Sequence, residues 1–156
     1  MSIPEPLLTE LIRSTEEVFE TMVFMPVTAA AVDAPFDLTP GRHVVATVAF
    51  AGHRNGFVSF HASVDTANEI AGAMLGVPHD QVNGQMSDAM GEVANMIAGS
   101  LRTKMAAIEP AWTITCPSVT IGTDFATRYP SEVSEARIPF SMNGQTVAVE
   151  IILSKR

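Results

Sequence analysis

Asp88-Ala-Met-Gly-Glu92-Val-Ala-Asn95-Met-Ile-Ala-Gly99-Ser-Leu-Arg-Thr103 divides into two faces when wound as a helix at about 100° per residue. Met86, Met90, Val93, Ile97, Leu101 and Ile108 fall on one apolar stripe. Opposite them, within about 60° of one another, stand Asp88, Glu92, Asn95 and Gly99. A solvent face normally carries long, helix-favouring charged side chains. Asn and Gly both weaken a helix, the Gly by up to about 1 kcal/mol, so helix stability did not select them. Glu-x-x-Asn also arises by chance on solvated faces, and the chain around the motif must decide what it means.

Working outward, the helix extends from about Asn83 to Ile108 and is closed by Pro110. Before it, Val64 to Leu75 reads as a second helix, capped by Ser63 or Asp65 and ended by Gly76-Val-Pro78. Val44 to Ala51 and Phe57 to Ala62 form a hairpin around Gly52-His-Arg-Asn-Gly56. Leu7 to Phe24 is an amphipathic helix with Leu7, Leu8, Leu11, Ile12, Thr15, Val18, Phe19 and Met22 at helical spacing, stopped by Pro26. A loose stretch follows through Pro35 and Pro40. Beyond the motif, Thr113 to Ile121 is a strand whose Pro117 suits an edge or a bulge. Val133 to Met142 and Gln145 to Leu153 make a closing hairpin across Asn143-Gly144, with Val147, Val149, Ile151 and Leu153 on one face. The order of elements predicts an α+β domain spanning residues 1–156, an antiparallel sheet of about five to six strands covered on one face by long helices.

Composition narrows the function. Hydrophobic residues make up 47% of the 156 and charged ones 17%, which excludes a disordered chain. The net charge is −8 and the few Lys and Arg are scattered, so nucleic acid and anionic membranes are not expected partners. The longest apolar run, Met22 to Val32, is interrupted by Pro26 and is too short for a bilayer. The amino terminus lacks the basic start and apolar core of a signal peptide, and Cys116 is alone, so a reduced cytoplasm is the expected compartment.

Several chemistries lack their residues. His43, His53, His61 and His79 include no close ligand pair, and no metal site is expected. There is neither a Gly-x-Ser-x-Gly elbow nor a phosphate-cradling loop; Gly52 and Gly56 flank a hairpin turn. Met22, Met86, Met90 and Met105 fall on core stripes, so packing accounts for most of the nine methionines.

Gly91-Glu-Val-Ala-Asn-Met-Ile-Ala-Gly99, opened by Asp88 and followed by a strand with Pro117, resembles the CheX and CheC family of bacterial chemotaxis phosphatases. The family's signature is an acidic residue or Ser, then Glu-x-x-Asn, then a downstream Pro. The resemblance spans nearly the whole chain, including Glu16-Glu-Val-Phe-Glu-Thr-Met22, Ala73-Met-Leu-Gly76 and both hairpins. CheC-type members carry a second Glu-x-x-Asn in the first long helix. Here Glu16, Glu17 and Glu20 are followed three residues later by Phe19, Glu20 and Val23, so the single site resembles CheX. Ser100 stands where relatives often carry Asn, about 100° round the helix from the site.

The resemblance implies hydrolysis of the aspartyl phosphate of a CheY-like receiver domain. An acyl phosphate has a good leaving group and a loose transition state, so positioning outweighs a strong base. In that setting Asn95 orients the attacking water, being uncharged and able both to donate and to accept. Glu92 pairs with the receiver's active-site lysine, and Asp88 and Gly99 belong to the docking face. Mg²⁺ is expected on the receiver, with no cofactor on this chain, and the family implies a homodimer joined through sheet edges. The alternative is a non-catalytic adaptor of the same fold that docks on a receiver, a role in which the Glu92–Asn95 pair has no evident use. A third reading, a ligand-binding α+β domain, requires a pocket that the sequence does not reveal.

Overall fold

The computed structural model describes residues 2–38, 41–109, 112–129 and 132–155; Pro40 and Pro110 lie outside them. Helix α1 (Glu5–Val18) leads into a π-helical turn (Phe19–Val23) and a two-residue strand β1 (Thr28–Ala29). The hairpin β2 (Arg42–Ala51) and β3 (Gly56–Ser63) precedes α2 (Val64–Leu75), a short 3₁₀ turn (His79–Gln81) and α3 (Met86–Met105). Strands β4 (Thr113–Ile114), β5 (Ser118–Thr123), β6 (Val133–Met142) and β7 (Gln145–Ser154) complete the chain. The sheet is antiparallel, in the order β1-β6-β7-β3-β2-β4, with β5 also on β2. Its two short strands extend the expected five or six to seven.

Local chemistry sets most boundaries. Ser63 Oγ accepts the Thr66 amide at 3.1 Å, capping α2, and Gly76 ends the helix at φ 71°. Asn143 and Gly144, at φ 49° and 78°, make the tight turn between β6 and β7. Phe50 pairs with Ile114 and Thr47 with Ser118, so the edge chain takes four steps where β2 takes three. Pro117 lies in that bulge, at the edge of the sheet.

Two helix ends differ from the sequence reading. The π turn takes in one extra residue, so Val23 is buried in place of Met22, which is 49% exposed and off the core stripe. Helix α3 starts at Met86 because Asn83 and Gly84 both have left-handed backbone, and it stops at Met105. Ile108 therefore leaves the stripe and is 62% exposed, whereas Met86, Met90, Val93, Ile97, Leu101 and Met105 are buried.

The main core lies between the helices and one face of the sheet. Leu7, Leu11 and Val18 of α1 and the α3 stripe pack against Val44, Ala46 and Val48 of β2, Val58 and Phe60 of β3, and Val147, Val149 and Ile151 of β7. Full burial of such side chains contributes about 1.5–3 kcal/mol each. The opposite face is not bare, as a one-sided sheet would be. Phe36 sits edge-on to His61, Phe125 stacks on His43 at 4.1 Å, and Tyr129 stacks on Phe57 at 5.6 Å. Ala148, Glu150 and Ile152 of β7 are buried there.

Candidate functional site

Helix α3 lies with its apolar stripe in the core, and that orientation turns the opposite face outward. Asp88 and Glu92 are exposed, and Asn95 and Gly99 half-buried. The four occupy successive turns of one surface, as their spacing requires. No hydrogen bond or ion pair with another described side chain engages Asp88, Glu92 or Asn95.

The face is electrostatically costly. Asp88 and Glu92 are like charges at i and i+4, a pairing that weakens a helix by about 0.2–0.5 kcal/mol. Asp88 recovers part of this in the first turn, where a carboxylate meets the positive end of the helix dipole. Glu92, in the second turn, has no such compensation.

Both flanks of the face are fixed by neighbouring elements. On one, a Cβ built on Gly91 would stand 3.3 Å from Pro117 Cγ and 3.5 Å from Val119 Cγ2, so the edge strand lies directly against α3 beside Glu92. Sequence reasoning found both Gly91 and Pro117 but not their contact. On the other flank, Lys104 Nζ donates to Ser100 Oγ at 3.0 Å and pairs with Glu17 of α1. Ser100 is thus tied to the helix pair. Gly99 is open: a Cβ there meets nothing within 4 Å, while its carbonyl accepts a 3.1 Å bond from Thr103 Oγ1. No neighbouring element of this chain requires the missing side chain.

The arrangement presents a carboxylate and a carboxamide, both unengaged, on one outward helix face. Two such groups on an outward helix face are suited to completing a site carried by another macromolecule. Among the described residues no group of three or more His, Cys, Asp or Glu is placed to hold a metal ion. No described helix is long and apolar enough to cross a membrane.

Sequence reasoning missed a second cluster, on the far face of the sheet. The β2–β3 register places His43 and His61 diagonally across that face, beside Glu150 and Arg137. Alternation along the strands was the available signal, but histidines spaced eighteen residues apart show no pattern until the hairpin register is known.

Comparison with known proteins identifies the family and the fold. The family model described as chemotaxis phosphatase CheX matches residues 44–141. The chemotaxis protein CheX of Desulfovibrio desulfuricans is 25% identical over 95% of this chain and 99% of its own, with a TM-score of 0.81. CheX of Vibrio vulnificus is 23% identical over 95% and 99%, also at 0.81. The protein of the CheX-CheY-BeF3-Mg²⁺ complex from Borrelia burgdorferi shares the fold at 0.79, with 20% identity over 96% and 98%. No curated protein matches the chain. With the family model covering most of its length and the α+β fold shared throughout, the chain belongs to the CheX family of chemotaxis phosphatases.

Proposed function

We propose that this protein hydrolyses the aspartyl phosphate of a CheY-like response-regulator receiver, using the outward face of α3. The observation that carries this reading is the Glu92–Asn95 pair, adjacent on an exposed helix face and unengaged by the rest of the chain. The CheX–CheY complex of the Borrelia relative supports a receiver as partner.

In the proposed step Asn95 enters beside the receiver's phosphorylated aspartate and holds a water in line with the bond to be broken. Water oxygen attacks phosphorus, the P–O bond to the aspartyl carboxylate breaks, and inorganic phosphate leaves. Asn95 is suited to this because its amide brings no negative charge toward the phosphoryl oxygens. Glu92 would be repelled by phosphate; it pairs instead with the lysine of the receiver's site and fixes the docking geometry. Asp88 and Gly99 complete the contact surface, and Mg²⁺ belongs to the receiver. Strand β5, at the sheet edge with Ser118, Thr120 and Thr123 exposed, is where a second copy would add to form a homodimer.

The test follows phosphate loss from phosphorylated CheY-like receivers with and without the protein. Wild type should accelerate loss and Asn95→Ala should not. A protein that binds the phosphorylated receiver without accelerating loss would be an adaptor, and the catalytic reading would fail.

A further inference from the structure

The outward face of α3 continues past Gly99 to Arg102, which is exposed. Arg102 comes seven residues after Asn95, which places it within about 20° of Asn95 in azimuth and about 10.5 Å further along the axis. It follows Glu92 by ten residues, an axial separation of about 15 Å. No hydrogen bond or ion pair with another described side chain engages it.

Its helix neighbours offer this arginine no partner. At i±3 and i±4 stand Ala98, Gly99, Met105 and Ala106, so the ion pair that usually supports a base on a helix surface cannot form. Glu109, the nearest acid along the chain, is buried and held by Arg54 at 3.0 Å. Lys104, in the same last turn, is engaged by Glu17 and Ser100. The helix dipole favours a base at this end, but it does so at any azimuth and does not select the face of Glu92 and Asn95. The surface beside Arg102 is low: Gly99 has no side chain and Ala106 only a methyl, so a partner can reach the guanidinium.

Charge accounts for the placement. A receiver that holds Mg²⁺ beside a phosphorylated aspartate is rich in carboxylates there. Asp88 and Glu92 bring further negative charge toward it, and of the basic residues of α3 only Arg102 shares their face. A guanidinium meets a carboxylate through two parallel hydrogen bonds, which fix direction as well as distance. Opposite charges about 15 Å apart on one face also give docking a polarity. A receiver turned end for end would set its lysine against Arg102.

We infer that Arg102 recognises the receiver: its guanidinium pairs with a surface carboxylate beyond the reacting centre and, with Glu92, fixes which way round the receiver docks. The inference rests on the proposed use of α3 as the docking face. Arg102 is a positioning residue and does not touch the phosphoryl group.

The experiment varies the protein against a limiting amount of the phosphorylated receiver that wild type dephosphorylates. It reads the half-saturating concentration and the plateau rate of phosphate loss. Arg102→Gln should fold, raise the half-saturating concentration about tenfold and leave the plateau unchanged. Arg102→Lys keeps the charge but not the two-pronged geometry and should fall between the two. From the other side, acidic residues on the receiver's surface are replaced singly by lysine. One such receiver should bind wild type weakly and be restored by Arg102→Glu. Wild-type saturation by Arg102→Gln, a lowered plateau at unchanged half-saturation, or no receiver restored by Arg102→Glu would each overturn the inference while the phosphatase reading stands. If wild type binds the receiver without accelerating phosphate loss, the phosphatase reading fails, and equilibrium binding of the same variants decides the role of Arg102. If it binds no receiver, both fall.

Discussion

Pro117 closes against Gly91, with only 3.3 Å between its Cγ and the place a Cβ would occupy. The edge of the sheet thereby braces α3 one residue before Glu92, on one flank of the outward face. Gly91→Ala gains up to about 1 kcal/mol of helix propensity but crowds the proline ring, so its net effect should be small. Gly91→Val adds two further methyl groups at the same contact and should cost about 1–3 kcal/mol. Urea denaturation of both variants checks this; wild-type stability in Gly91→Val would mean that the edge strand yields freely.

Asn95→Ala should fold and dock normally yet lose dephosphorylation by at least about 10²-fold, the scale of a lost positioning group. Helix propensity favours Ala over Asn, so its melting temperature should not fall. Single-turnover phosphate loss, measured beside receiver affinity, separates the two effects. Wild-type turnover in this variant would sink the role given to Asn95.

Glu92→Gln preserves size and removes charge. Affinity for the phosphorylated receiver should drop by about 1–3 kcal/mol if the pair with lysine is desolvated on docking. Added salt should weaken wild-type binding more than binding of the variant. Titrations at low and high salt give both numbers. Equal affinities would make Glu92 an ordinary solvated side chain.

The sequence reading was strongest where one residue type has one physical use. Ser63 and Gly76 bound α2, and Asn143-Gly144 sets the last hairpin, because capping and left-handed turns admit few alternatives. The outward face of α3 followed from its apolar stripe, since burying one side of a helix fixes the other. Met22 failed because Val23 beside it is also apolar, and periodicity cannot reveal a single extra residue in a turn. The cluster of His43, His61, Glu150 and Arg137 was invisible for a different reason. It is assembled by three strand registers and covered by the irregular chain around Phe36 and Phe125, which carries no periodic signal.

Glu150 provides a pH-dependent test of that far face. Burial alone would raise its pKa, but His61 and then Arg137 outweigh burial and hold the carboxyl below its ordinary value of 4.5. A carboxylate depressed in the folded state stabilises the protein above its unfolded pKa, and that contribution disappears as pH falls through the lower folded value. Wild-type stability should therefore fall on acidification below about pH 4.5 more steeply than that of Glu150→Gln. At neutral pH the variant should be weaker by about 1–3 kcal/mol, since Arg137 is partly exposed and loses only a screened partner. Parallel stability curves from pH 7 to pH 3 would show no ionised Glu150 contribution.

Gly99 separates the docking account of α3 from a purely structural one. A glycine in the middle of a helix needs a reason, and the usual reason is close approach by another part of the same protein. Here the added Cβ would meet nothing within 4 Å, so the fold itself leaves the position vacant. Gly99→Ala should raise stability by up to about 1 kcal/mol. Gly99→Leu should fold as well as wild type, because its side chain projects into solvent between the turns carrying Asn95 and Thr103. The same side chain would then stand where the receiver must approach, and docking should be lost. Thermal melts beside a receiver-binding assay distinguish the outcomes. An unfolded Gly99→Leu would mean that the position is packed; a folded variant that binds normally would move the interface off this face of α3.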